Sequence, residues 1–228
     1  MIDVVLMDIE GTTTSIAFVH EVLFPYARER MAGFLAGHIG NPAVADCLEQ
    51  VRETVGREQG REPEDSELAA VLVDWIDRDR KHPALKQLQG MIWRAGYEQG
   101  DYVAHLYDDV KPAMTAWRKA GKVLAIYSSG SVAAQKLLFA HTRFGDLTDL
   151  ISFYFDTRSG HKRQQASYAC ITTALGVAPD RILFLSDVPE ELDAARGAGL
   201  KTTQLLRPGI PACDHHATIP DFSQLRLC

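Results

Sequence analysis

Four cysteines in 228 residues are few, and Cys47, Cys170, Cys213 and Cys228 form no C-x-x-C pair. That scarcity excludes a disulfide framework and a clustered-cysteine zinc site, and it fits reduced thiols in a cytosol. Basic charge is also in short supply. The 24 lysines and arginines are outnumbered by 30 aspartates and glutamates, for a net charge of −6. A nucleic-acid partner, which calls for a basic face, is therefore not expected. No apolar run approaches the ~18 residues that span a bilayer, so no membrane partner is expected either. The opening MIDVVLMDIE lacks the basic stretch and small-residue cleavage site of a secretory signal, and a cytoplasmic location follows. Internal repeats and low-complexity tracts are absent as well.

What remains is an ordinary globular composition, 46% hydrophobic and 24% charged. The length suits one large domain, or one domain carrying an insertion. Val4–Met7 is a short apolar run ending at Asp8, the signature of a strand buried on both faces. Similar runs occupy Val123–Tyr127, 151–155, 182–185 and, shorter, 202–206. Helical patterns lie between them at 132–140, 164–175 and 190–198, the last two followed by Gly176 and Gly199 as stops. Strand, helix, strand at this spacing predicts an α/β fold, a doubly wound parallel sheet.

Residues 15–108 break this rhythm. Their apolar positions recur at helical spacing: Val19, Val22, Leu23 and Tyr26, then Leu68, Val71, Leu72, Trp75 and Ile76, then Leu85, Leu88, Met91 and Ile92. Pro63 and Pro83 mark breaks. The stretch holds 10 of the basic and 16 of the acidic side chains, so the whole net charge resides in it. It reads as a helical cap inserted after the first strand, with 1–14 and 109–228 forming an α/β core.

Ligands of open α/β sheets bind beyond the carboxyl ends of the strands. Four of the five expected strands end in polar residues: Asp8, Ser128, Asp156 and Asp187. Each alone has a plainer explanation as a turn former; four together point to chemistry. In Asp8-Ile9-Glu10-Gly11-Thr12 two carboxylates share one strand end. Asp8 suits a nucleophile and Glu10 a proton donor to a leaving group, then a base for water. Ser128-Ser129-Gly130-Ser131 suits either an anion at a helix N-terminus or a plain helix cap. Lys162, just ahead of a helix, suits either charge neutralisation at a phosphoryl group or mere solvation; His161 reads as a bystander. Asp187 could join Asp8 on a hard cation such as Mg²⁺. Glu191 could reach the cation's surroundings or a neighbouring strand end, whereas Glu190 fits ordinary acid enrichment in a first helical turn.

These elements in this order resemble the haloacid dehalogenase superfamily of phosphohydrolases, with the helical insert matching that superfamily's cap. Five longer stretches narrow the resemblance: DIEGTTTSIAFVHEVLFPYA (8–27), LYDDVKP (106–112), IYSSGSVAAQKLLF (126–139), FDTRSGHKRQQASY (155–168) and LFLSDVPEELDAA (183–195). Together they are similar to the acireductone synthases, the enolase-phosphatase family of methionine salvage. The likeness runs from Asp8 to about Pro208 and is weakest over 40–65 and in the C-terminal tail. Ser15 departs from the proline expected in many relatives.

The resemblance implies a phosphorylated small-molecule substrate, 2,3-diketo-5-methylthiopentyl-1-phosphate, which is enolised and then hydrolysed to the acireductone and phosphate. It implies one Mg²⁺ per chain, held by Asp8, Asp187 and the backbone carbonyl of Glu10. It also implies a cytosolic monomer in which Asp8, Glu10 and Lys162 are catalytic, and Ser128, Ser129 and Lys162 contact the substrate. The cap would close over the substrate and exclude water. The base for enolisation stays open between Glu10 and a cap residue such as His20 or Glu21. The run Cys213 to His216 has no role in the resemblance and reads as a surface tail, since adjacent residues rarely converge on one ion. Two other readings remain: a general Mg²⁺-dependent phosphatase on the same core, and a phospho-accepting signalling module, for which a 90-residue insert would be idle.

Overall fold

The computed structural model describes residues 1–227. Along the chain, β1 (Val4–Met7) is followed by the short helix α1 (Ile16–Phe18) and a π-helical stretch over Val19–Leu23. Helices α2 (Phe24–Gly37), α3 (Pro42–Gln59), α4 (Asp65–Asp77) and α5 (Pro83–Gln99) come next. Then follow α6 (Val110–Lys119), β2 (Val123–Tyr127), α7 (Val132–Ala140), β3 (Phe153–Phe155) and α8 (Gln165–Leu175). The last elements are β4 (Ile182–Ser186), α9 (Pro189–Gly197), β5 (Lys201–Leu205) and β6 (Ala217–Ile219). The chain divides into two compact units, one of residues 1–18 with 103–227, the other Val19–Tyr102.

In the first unit the six strands found among the described residues form one parallel sheet in the order β3-β2-β1-β4-β5-β6. All four residues of β1 are buried, because the strand is central and both faces are covered. Val4 and Leu6 pack with Tyr168 and Ile171 of α8 and Leu192 and Ala195 of α9. Val5 and Met7, on the opposite face by strand alternation, are buried too. Met7 pairs with Ile126 on one side and Leu185 on the other. That register brings the ends of β1, β2 and β4 to one edge, where the strand order reverses and ligands characteristically bind.

The second unit is helical throughout. Prolines open α3 and α5, where a missing N–H costs nothing. Glu64 and Glu67 close a capping box at the start of α4. Met31, Val44, Cys47, Val51, Leu68, Leu72, Leu85 and Leu88 are among its buried core; the last four are at periodic positions read from the sequence, whereas the first four were not picked out.

Several elements depart from the sequence reading. The third strand begins at Phe153 rather than at 151, because a 3₁₀ turn over Thr148–Leu150 occupies the approach. The fifth is Lys201–Leu205 rather than 202–206. Helix α6 and strand β6 were not anticipated: α6 carries a proline within its first turn, and β6 has three residues, too few for a periodic signal. The insert was expected at 15–108, whereas contacts divide the chain after residues 18 and 102. The difference is local. The Ala104 N–H bonds to the His141 carbonyl and the Tyr107 N–H to the Thr13 carbonyl, so 103–108 stay with the sheet. Cys47, Cys170 and Cys213 are free thiols; Cys228 lies outside the described residues. Among the described residues no helix is long and apolar enough to cross a membrane.

Candidate active site

Asp8 leaves β1 into a turn that its own neighbours tie down. The backbone N–H groups of Thr12, Thr13 and Thr14 all bond to the Ile9 carbonyl. The hydroxyl of Thr13 reaches the carbonyls of Asp8 and Ile9, each at 3.2 Å. Gly11 adopts a φ of +71°, and a Cβ there would stand 2.2 Å from Asp187 Oδ2. Glycine thus serves two purposes: it takes the left-handed turn, and it lets the Asp187 carboxylate lie against the backbone. The Thr12 hydroxyl completes that contact, accepting from the Asp187 N–H at 3.1 Å and meeting Asp187 Oδ1 at 3.3 Å.

Asp8 is 5% exposed. Its Oδ1 accepts from the Ile9 N–H at 2.6 Å and from Lys162 Nζ at 2.7 Å. Lys162 Nζ also meets Glu191 Oε2 at 2.6 Å, and the Ser186 hydroxyl lies 3.2 Å from the same Glu191 oxygen. The backbone of the loop that carries the lysine is held from behind. The Tyr168 hydroxyl donates to the Lys162 carbonyl, Ser167 to the His161 carbonyl and Tyr127 to the Gly160 carbonyl. Burial alone would depress the Lys162 ammonium, but the charges of Asp8 and Glu191 outweigh it and raise the pKa above the usual lysine range.

A cleft of about 360 Å³ opens at this strand edge, within the range of small-molecule sites. Its lining includes Asp8, Glu10, Ser128, Ser129, Lys162, Asp187 and Glu191. Asp8, Glu10, Lys162, Ser128, Ser129 and Asp187, the residues the resemblance assigns to catalysis, substrate contact and metal ligation, therefore line one cleft. Ser128 is buried and its hydroxyl accepts from the Gly130 N–H at 3.1 Å, shaping the turn into α7; Ser131, not Ser129, caps that helix. His161 also borders the cleft.

Asp156 belongs elsewhere. Its carboxylate caps the turn over Thr157–Ser159, pairs with Arg158 and accepts from the Val132 N–H, so the turn-former reading holds for it. Glu190 is exposed, as acid enrichment in a first helical turn would have it. His20 packs edge-on against Phe24, and Glu21 is exposed, both within the helical unit.

The carboxylates crowd one another. Asp187 is pushed up to about 6, first by burial and then by the charge of Asp8. Glu191 is pushed up to about 7, again by burial first and Asp8 second, with Lys162 and Ser186 pulling the other way. Two buried carboxylates that repel, on an all-oxygen donor set beside the Glu10 backbone, suit a hard divalent cation such as Mg²⁺.

Sequence reasoning missed Arg207, which is 5% exposed. Its Nε and Nη2 bond to the Thr12 carbonyl at 3.0 and 2.8 Å, and it forms a bidentate pair with Asp109 at 2.9 and 2.8 Å. Asp109 Oδ2 also accepts from the Phe222 N–H. The chain beyond β5 thereby braces the turn that carries Asp8. Asp109 lies in the LYDDVKP stretch, the one available signal; Arg207, just past the last expected strand, offers none.

A family profile described as haloacid dehalogenase-like hydrolase matches residues 2–199. A protein of Sorangium cellulosum called Enolase-phosphatase E1 is 50% identical over 226 residues, covering 97% of this chain and 96% of its own. A protein of the same name from Citrobacter koseri is 51% identical over 225 residues, covering 99% and 97%. The crystal structure of the UTR4 protein of Saccharomyces cerevisiae superposes with a TM-score of 0.84 at 36% identity, covering 99% of this chain and 100% of that one.

Proposed function

The chain belongs to the haloacid dehalogenase-like hydrolases, and from that membership we propose that it is the enolase-phosphatase of methionine salvage. It converts 2,3-diketo-5-methylthiopentyl-1-phosphate to the acireductone and inorganic phosphate. The observation that carries this reading is the buried Asp8–Lys162–Glu191 cluster beside Asp187, set in a chain half-identical along its length to proteins called enolase-phosphatase.

Asp8 attacks phosphorus. A bond forms from its carboxylate oxygen as the bond to the enol oxygen breaks, and Glu10 gives that leaving oxygen a proton. Glu10 then takes a proton from water, whose oxygen bonds to phosphorus as the bond to the Asp8 oxygen breaks, releasing phosphate and restoring Asp8. Lys162 offsets charge on the transferring group, where positioning and electrostatics govern the rate. Ser128 and Ser129 contact the phosphate. Glu191 and Ser186 position Lys162 and need not touch the substrate. Phosphatases of this family generally use Mg²⁺; Asp8, Asp187 and the Glu10 carbonyl would hold one ion per chain. When bound, it supplies electrostatic stabilisation of the phosphoryl oxygens. The enolisation needs a base for the proton next to the carbonyl; Glu10, which borders the same cleft as Asp8, is the candidate put to the test below. On family grounds the enzyme is a cytoplasmic monomer.

The diketo phosphate and Mg²⁺ test this in one cuvette. Enol absorbance followed by phosphate release is the expected course; phosphate release without enol absorbance would make it a general phosphatase. A Glu10→Gln variant should lose both steps. Normal enolisation in that variant would remove Glu10 as the carbon base while leaving its phosphatase role intact.

A further inference from the structure

The run Cys213 to His216 takes no part in the reaction above, and it lies at the surface as expected, with Asp214 and His215 exposed. It leads into β6 and packs on α9, where two of its residues meet Asp193. We propose that Asp193, His215 and His216 form a second metal site, one that takes a transition-metal dication such as Zn²⁺ rather than Mg²⁺.

Spacing is the first argument. One ligand atom from each of the three residues lies within 4.8 Å of the others. His216 Nε2 is 3.2 Å from Asp193 Oδ1, and His215 Nε2 is 3.4 Å from Asp193 Oδ2. Zinc bonds of ~2.0–2.1 Å in a tetrahedron put neighbouring ligand atoms about 3.3 Å apart. The observed separations match that edge length.

The second argument is the far side of each ring. His216 Nδ1 is 2.9 Å from the Thr202 hydroxyl, and His215 Nδ1 is 3.1 Å from Asp214 Oδ1. Metal-bound histidines characteristically use their other nitrogen in this way, which fixes the tautomer and the ring. With Nδ1 of His215 on Asp214, Nε2 is the ring nitrogen turned toward Asp193.

The third argument is preorganisation. The His216 side chain is 1% exposed, so its ring is fixed by packing. Arg196 bonds to the His215 carbonyl at 2.7 Å and to Asp193 Oδ1 at 2.6 Å, tying the loop to the helix. The same Oδ1 lies 3.2 Å from His216 Nε2 and 3.4 Å from His215 Nε2. Asp193 and His215 keep nearly half their side-chain surface in solvent, which leaves room for water as a fourth ligand. Two imidazoles favour zinc, copper or nickel over magnesium, so this site and the carboxylate-lined cleft select different ions. Cys213 is not a member; its N–H bonds to Gln204 Oε1.

The test is Zn²⁺ titration calorimetry on the untagged full chain in saturating Mg²⁺. One equivalent should bind, and it should still bind in Asp187→Asn. His215→Ala, at an exposed position, should weaken binding by about a hundredfold, and Asp214→Asn by about tenfold. The proposal is overturned by any of three results: no saturable Zn²⁺ binding in the wild type, an affinity that His215→Ala leaves unchanged, or binding that disappears in Asp187→Asn.

Discussion

The two units of this chain differ in how deeply they bury paired charge. In the helical unit, Arg28 with Asp77, Arg61 with Glu67 and Arg78 with Asp74 all have both side chains at least two-fifths exposed. The sheet unit has exposed pairs as well, such as Arg196 with Asp193, but it also holds Lys162 with Asp8 and Glu191, and Arg207 with Asp109, whose side chains are 5–13% exposed. Exposed pairs are screened and interchangeable. Buried ones lose hydration and repay it only through exact partners. The net charge of −6 resides in the insert, and it says nothing about what the cleft binds. Burial, not charge count, marks the chemistry.

The largest effect that would break this contrast is at Asp8. Asp8→Asn keeps the size of the side chain and removes the nucleophile, so phosphate release should fall by about 10⁴-fold or more. A variant within tenfold of wild type would end the covalent mechanism. Next comes Arg207, far from the phosphoryl group but equally buried. Arg207→Ala strands the Asp109 carboxylate and should cost about 3–5 kcal/mol in chemical denaturation; a loss of less than about 1 kcal/mol would show that the pair is no brace.

A pH series sharpens the comparison. The Asp187 pKa rises on folding from 3.8 to about 6, so the folded state holds that proton more tightly than the unfolded one. Wild type should therefore lose roughly 2–3 kcal/mol against Asp187→Asn as metal-free solution goes from about pH 4 to pH 7. Added Mg²⁺ should restore part of that loss in wild type alone. Parallel pH curves for the two proteins would refute the shift. The smallest effect belongs to the helical unit. Arg28→Ala should leave the denaturation midpoint where it is, and a clear drop would mean that surface pairs there carry weight after all.

Strands β1, β2 and β4 were legible because each is an unbroken apolar run that ends in a polar residue. Within the insert, the start of α2 and helices α4 and α5 were legible from their 3.6-residue period, whereas α3 was not picked out. Asp8, Glu10, Ser128, Lys162 and Asp187 could be picked out by their order along the chain. Asp156 satisfied the same rule and proved to be a turn cap, because a strand end looks alike whether it faces the cleft or a neighbouring loop. Glu191 was left between two roles, and the structure places it on Lys162. Arg207 left no local trace.

Local pattern therefore determined the central strands and most of the helices, and which polar residues stand at the ends of the strands. The tertiary structure decided which of those residues lose water and whom they meet. Ser186 and Asp8 are 178 residues apart, and Arg207 and Thr12 are 195 apart. Only the pairing of β1 with β4, and the return of the chain beyond β5, brings them together. Periodicity acts within a turn or a strand, whereas desolvation depends on everything packed around a group. For that reason the elements could be read from the sequence, while the buried charge network had to be seen.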